Sequence, residues 1–275
     1  MFKLDTKEQK FSLDKLSPIT ISGFSRSALR TGFLLKPYNI YLDAGIHPSK
    51  ESNLVLLSHS HYDHIACIYP ILLESKNTNV MLPANTVDDL SKLLNTLSSL
   101  NSGKKSSFKW NPITDSNYTC IINSKHIFIE THRLTHSVDS IGFGINEIKN
   151  SLKSEFKDLS SKEIAILKKN GIEITEKIVV PILLFISDTS SAVLPNLPFY
   201  NYKLIIIECT FIEDEHYQEA INRKHIHWND LKTYISKYSN SQFILTHFSS
   251  RYKDEYLIKK ETELKEDYPN IIFWI

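Results

Sequence analysis

Within Ser58-His59-Ser60-His61-Tyr62-Asp63-His64, three imidazoles and a carboxylate fall in the pattern His-x-His-x-Asp-His. Neutral imidazole and carboxylate are the ligand set for zinc and related divalent ions. In extended backbone, residues two apart point to the same side, so His59 and His61 can share one ion. Asp63 and His64 then turn away and are free to serve a second. A chance histidine is usually a satisfied core or surface group, but four metal-capable side chains at this spacing favour a metal site.

A pair of ions needs more ligands than one motif supplies. The motif follows the apolar run Asn53-Leu-Val-Leu-Leu57, and three other candidates also come after strand-like apolar runs. His136 follows the segment around 126–130 after a short loop, Asp188 closes Ile182-Leu-Leu-Phe-Ile-Ser, and His247 closes Phe243-Ile-Leu-Thr. If these strands lie side by side, their ends form one rim. His59, His61 and His136 then hold one ion, Asp63, His64 and His247 the other, and Asp188 bridges them through its two oxygens. Singly, each signal is weak. His136 alone reads as a solvated loop histidine with His132 as its rival. Asp188 alone reads as a helix N-cap or Asx turn, and His247 as a buried histidine bonded to backbone. His126 and His47 read as structural or exposed. Gly142-Phe-Gly144 lacks the third glycine and the following helix of a phosphate cradle.

The elements that must position these groups are mostly strands. Ile19-Thr-Ile-Ser, Thr31-Gly-Phe-Leu-Leu, Tyr38-Asn-Ile-Tyr-Leu and Asn79-Val-Met-Leu-Pro83 are β-branched, aromatic or apolar runs, as strands require. Val87, Leu90, Leu93, Leu94, Leu97 and Leu100 follow helical spacing after Thr86, a suitable N-cap. A short helix is expected from near His64 to 73. Residues 178–186, 203–207, 243–246 and 270–275 read as strands, with helices over 219–239 and 252–267. Residues 146–178 stand apart: they are rich in Lys and Glu, and Leu152, Phe156 and Leu159 are spaced for a helix. A second helix is expected from Ser161 to a stop at Gly171. The whole of 1–275 reads as one domain with an amphipathic helical insert at 146–178.

A hydrophobic content of 41% and a mean hydropathy of −0.22 describe an ordinary globular protein. A net charge of +1 supplies no global field toward nucleic acid, so any RNA contact rests on local patches. Cys67, Cys120 and Cys209 are isolated and odd in number, which argues for a reducing compartment and against a disulfide framework. The polar N-terminus has no apolar leader, and no run of 18 apolar residues occurs; the cytoplasm is the default, or the nucleus if the source has one, with no membrane partner.

His59-x-His-x-Asp-His64, with His136, Asp188 and His247, resembles the metallo-β-lactamase superfamily. Glu208-Cys-Thr-Phe211, His225-Ile-His-Trp and Leu245-Thr-His-Phe-Ser-Ser-Arg-Tyr252 resemble ribonuclease Z, the tRNA 3′-processing endonuclease, in its short plant-type form. The likeness runs from about residue 19 to 252. There are departures. Ile65-Ala-Cys follows the histidine motif where a glycine pair is usual, Ser187-Asp-Thr stands for Gly-Asp-Thr, and the glycine- and proline-rich arm of bacterial forms is absent.

The resemblance implies a four-layer αββα sandwich, two divalent ions (zinc first, manganese or iron as alternatives), a homodimer, and precursor tRNA as substrate. It implies hydroxide attack on the phosphodiester, removing the 3′ trailer and leaving a 3′-hydroxyl. Asp63 orients or deprotonates the nucleophile. Glu208 and one histidine of the His225-Ile-His segment form the general-acid pair, with His225 favoured over His227. Arg251 contacts a phosphate or pairs with Asp254 or Glu255 at the surface. The insert lies where the family inserts its RNA-binding arm, and a solvated helical face is its competing reading. Two further readings are hydrolysis of another RNA end or a small nucleotide, and a non-catalytic tRNA-binding homologue; the filled ligand positions speak against the latter.

Overall fold

The computed structural model describes residues 6–14, 16–47, 51–75, 78–114 and 117–275. Among them, strands build two seven-stranded sheets, each laid down in chain order. The first holds β1 (Lys7–Phe11), β2 (Ile19–Arg26), β3 (Arg30–Lys36), β4 (Ile40–Leu42), β5 (Leu54–Leu56), β6 (Asn79–Pro83) and β7 (Lys109–Ile113). The second holds β8 (Tyr118–Ile122), β9 (Lys125–Leu134), β10 (Ser140–Leu152), β11 (Thr175–Ile186), β12 (Leu204–Glu208), β13 (Gln242–Thr246) and β14 (Ile271–Phe273). Each sheet is half antiparallel and half parallel: β1 to β4 and β8 to β11 alternate in direction, whereas β4 to β7 and β11 to β14 run together. Parallel neighbours need crossover connections, and helices make most of them. In the first sheet these are α1 (Tyr62–Ile65), α2 (Ile68–Glu74) and α3 (Val87–Ser102). After α4 (Ser161–Lys169), which joins β10 to β11, come α5 (Tyr217–Arg223), α6 (Trp228–Lys237) and α7 (Asp254–Leu264) in the second.

Strands buried on both faces read as unbroken apolar runs, and period-two alternation sorts their side chains. Leu183, Phe185, Leu204 and Ile206 point inward to meet Phe33, Leu35, Leu42 and Leu56 between the sheets. Leu184, Ile186, Ile205 and Ile207 point outward onto Leu231, Ile235 and Leu257 of α6 and α7. Leu34, Tyr41, Val55 and Leu57 meet Ile71, Leu90 and Leu94 of α2 and α3. Two sheets face to face with helices on both outer faces make the αββα sandwich that was expected.

The 146–178 segment differs from its sequence reading. Residues 146–152 continue β10, paired with β11 from Asn146↔Pro181 to Leu152↔Thr175. Around Phe156 there is only one 3-10 turn, Ser154–Phe156. The insert is therefore a long β-hairpin tipped by α4, not a pair of helices. Cross-strand pairing takes up the backbone as far as Leu152, and beyond it the N–H groups of Phe156 and Leu159 bond three residues back, in turns rather than a helix. α4 itself is placed as expected, opened by a Ser160–Glu163 capping box and followed by Gly171 at φ +76°. The polar strand β1 was not anticipated. No helix of the described residues is long and apolar enough to cross a membrane.

Candidate metal and catalytic centre

Five parallel-sheet strands end on one rim, the place where open α/β sheets bind ligands. β4 runs into Asp43, β5 into the histidine motif, β11 into Asp188, β12 ends at Glu208, and β13 runs into His247. The backbone there is forced. Asp43 (φ 58°), His247 (φ 61°) and Ala28 (φ 62°) all adopt the left-handed conformation, at roughly 1–3 kcal/mol each. Hydrogen bonds hold all three: Asp43 N–H donates to the Leu56 carbonyl at 2.9 Å, His247 N–H to Ser25 Oγ at 3.0 Å, and Ala28 N–H to Asp63 Oδ2 at 3.1 Å. Gly45 lets α1 approach, since a Cβ there would collide with the carbonyl oxygens of Asp63 and Thr31.

The structure brings the seven candidate ligands together in the two expected sets. His59, His61, His136 and Asp188 offer atoms within 4.8 Å of one another, and so do Asp63, His64 and His247. Asp188 lies between the sets. Its Oδ2 is 3.7 Å from Nε2 of His59 and of His136, and its Oδ1 is 3.5 Å from His64 Nε2 and 3.4 Å from His247 Nε2. His136 Nε2 is 3.3 Å from His61 Nδ1, and Asp63 Oδ2 is 3.4 Å from both His64 and His247 Nε2. Four ligands about 2.0–2.1 Å from a tetrahedral ion stand roughly 3.3–3.4 Å apart, so the observed spacing suits a shared cation.

The hydrogen bonds around this centre prepare the imidazoles as ligands. His64 Nδ1–H donates to Asp43 Oδ2 at 2.7 Å and His136 Nδ1–H to the Lys224 carbonyl at 3.1 Å. Ser58 Oγ gives its own proton to Asp43 Oδ2, so it accepts from His59 Nδ1 at 2.9 Å. Thr210 Oγ1 gives its proton to Glu208 Oε2 at 2.7 Å, so it accepts from His247 Nδ1 at 3.0 Å. In the neutral form of all four rings this leaves Nε2 bare and aimed at the centre. His59 Nε2 and Asp188 Oδ1 are buried with no hydrogen-bond partner, an arrangement that is costly unless something else binds there. The residues therefore fit a pair of cations.

Electrostatics agree. Burial, reinforced by neighbouring His64, holds His59 well below the usual imidazole pKa, and burial also lowers His61 and His136. These stay neutral, as ligands must. Burial also opposes charge on His64, but Asp188 and Asp43 outweigh it and raise its pKa. Burial opposes ionisation of Asp63 and Asp188 too, yet the histidines keep both carboxyls far below the ordinary range. The carboxylates thus demand positive charge, which a proton or a metal cation supplies.

Beside the centre, Glu208 is fully buried and collects five donors. Its Oε1 accepts from Thr189 N–H and from His225 Nδ1 at 2.9 Å; its Oε2 accepts from Thr210 twice and from Ile226 N–H. Burial opposes protonation of His225, but Glu208 prevails and pushes its pKa up to about 9. The His225 ring stacks on His247 with centroids 5.3 Å apart. His227 is turned away as the N-cap of α6, accepting from Asn229 N–H and donating to the Glu213 carbonyl.

Arg251 does not pair with Asp254 or Glu255. It binds Glu219 at 2.8 Å and Ser249 Oγ, over the Phe211 ring, while Asp254 pairs with Arg26. His132 on β9 joins no ligand set, and His47 faces Glu74. Sequence reading missed Asp43, which bonds His64, Ser58 and Ser187. The signal existed, because Asp43 closes an apolar strand as Asp188 does. Thr210, which joins His247 to Glu208, carried no such mark. Ser187, where glycine is usual, supplies one of the bonds to Asp43.

No protein-family model matches the chain. Among curated proteins, tRNase Z TRZ1 of Arabidopsis thaliana is 28% identical over 244 residues, covering 84% of this chain and 86% of the relative. Among solved structures, the metallo-beta-lactamase fold protein YhfI from Bacillus subtilis superposes with a TM-score of 0.62 at 16% identity, covering 94% of this chain and 96% of the other. The short form of human tRNase Z superposes with a TM-score of 0.55 at 14% identity, covering 92% and 95%. The chain has the metallo-β-lactamase fold, and over most of its length it resembles tRNase Z in sequence.

Proposed function

We propose that this chain is a metal-dependent endoribonuclease that removes the 3′ trailer from precursor tRNA, leaving a 3′-hydroxyl on the tRNA and a 5′-phosphate on the trailer. The observation that carries the reading is the buried Glu208–His225 pair set against a two-compartment His/Asp centre, in a chain similar to plant tRNase Z. Two divalent ions, one on His59, His61 and His136, the other on Asp63, His64 and His247, with Asp188 shared, would supply an activated water at neutral pH and neutralise phosphate charge. Zinc is our assignment; the same donors accept manganese or iron.

The protein's own groups do the rest. Every bond Asp63 makes among the described residues uses Oδ2, so Oδ1 is left to orient the attacking water or take its proton. The departing 3′-oxygen is a poor leaving group unless protonated. His225 holds Nδ1 on Glu208 and can hand over a proton from Nε2. Arg251 would bind a phosphate in exchange for Glu219, as a planar guanidinium suits. The hairpin tipped by α4 is the RNA arm in this reading. The chain acts as a homodimer in a reducing compartment, the cytoplasm or a nucleus, which suits three free thiols.

The test is incubation of the purified protein with a precursor tRNA, mapping the cut and its ends across a salt series. We expect a cut just after the unpaired base that follows the acceptor stem, with a 3′-hydroxyl, and affinity that falls steeply with salt. A different product end sinks the reading, and a salt dependence left unchanged by deleting the hairpin tip removes the arm from the RNA footprint. The same preparation should sediment as a dimer; a monomer at assay concentration removes that part.

A further inference from the structure

Tyr62 lies between two candidate ligands, His61 and Asp63, yet its side chain is 67% exposed. Folding alone does not require a large aromatic there. Arg30 covers part of it, its guanidinium carbon 4.9 Å from the ring centroid and Nη2 donating to the hydroxyl at 3.3 Å. No carboxylate among the described residues pairs with Arg30; its other bond goes to the Leu29 carbonyl. The turn that delivers Arg30 is tied to the same centre, because left-handed Ala28 donates its N–H to Asp63 Oδ2. Asp63 thus fixes both halves of the pair: Tyr62 through the chain, Arg30 through the turn.

We propose that Tyr62 and Arg30 form a stacking platform for one unpaired nucleobase of the RNA strand, next to the phosphate to be cut. The inference rests on the endoribonuclease reading and deepens it. An exposed aromatic ring beside an uncompensated cation matches a single strand, which offers a π-face on each base and a negative charge on each phosphate. A base inside a duplex cannot stack this way, so the occupant is an unpaired nucleotide flanking the cut. The platform selects substrates whose 3′ end is single-stranded at the centre, and it is indifferent to which base is there.

The experiment compares wild-type chain, Tyr62→Ala and Tyr62→Trp on a precursor tRNA and on versions with one abasic nucleotide on either side of the cut. Tyr62→Ala is expected to raise KM about 5- to 100-fold, the range of one lost base stack, with the change in KM rather than kcat. Tyr62→Trp is expected to restore binding. On the abasic version that removes the stacked base, wild type falls to the level of Tyr62→Ala, and the variant loses nothing more. Equal KM for wild type and Tyr62→Ala overturns the platform, and so does a loss of the same size on every abasic substrate. A wild-type chain that cuts no precursor is a failure of the endoribonuclease reading instead. The platform is then read by 2-aminopurine in a short single-stranded RNA, whose fluorescence wild type quenches and Tyr62→Ala does not if the proposal holds.

Discussion

Replacing His225 by alanine is expected to slow precursor cleavage about 10²- to 10⁴-fold, the usual worth of a positioned acid, while the bound metal stays unchanged. The physical reason is the division of labour around Glu208. That carboxylate has no exposed surface, and it fixes one nitrogen of His225 at 2.9 Å. It also keeps the ring protonated near neutrality, with a pKa raised to about 9 against the opposing effect of burial. An imidazolium held this way donates a proton without first having to find one. Assaying cleavage and metal content on the same preparation separates the two roles open to this histidine. Asp188, His225 and His247 also lie within 4.8 Å of one another, so loss of metal in the variant would move His225 into the ligand set. Full rate with full metal would remove it from the chemistry.

Asp188→Ala is expected to lose both metal and activity, the latter by at least about 10³-fold. Each oxygen of Asp188 faces a different imidazole pair, at 3.7 Å on one side and 3.4 to 3.5 Å on the other. Removing the carboxylate takes a ligand from both sets at once and leaves the crowded rings with one negative charge fewer. Asp188→Asn keeps the shape and discards the charge, so it separates packing from ligation. A variant that binds two ions with undiminished activity would rule out the bridging role.

The fold was legible because its buried strands are short, β-branched apolar runs, the pattern of strands covered on both faces. Residues 182–186 and 204–207 carry that mark plainly. The candidate ligands were legible because most follow such a run directly, so the sequence places them at strand tips even before the strands are ordered in space. Three features escaped for different reasons. Asp43 bore the same mark as Asp188, but a lone aspartate before Ala-Gly reads as a turn. Thr210 earns its place only through three-dimensional contacts with His247 and Glu208, which no local spacing encodes. The hairpin at 146–178 was read as helix because its exposed strands alternate no hydrophobic face; cross-strand pairing such as Ser151↔Glu176 is invisible in a single line of charged residues. Local sequence spacing alone did not separate His225 from His227 either; in the structure His225 bonds Glu208, and His227 bonds the Glu213 carbonyl instead.

The most direct measurement is anomalous X-ray diffraction at a metal absorption edge on crystals grown with zinc. Two peaks roughly 3.5–4 Å apart are predicted, one against His59, His61 and His136, the other against Asp63, His64 and His247, with an Asp188 oxygen on each. No peak at this rim, or a single ion bound elsewhere, would contradict the account.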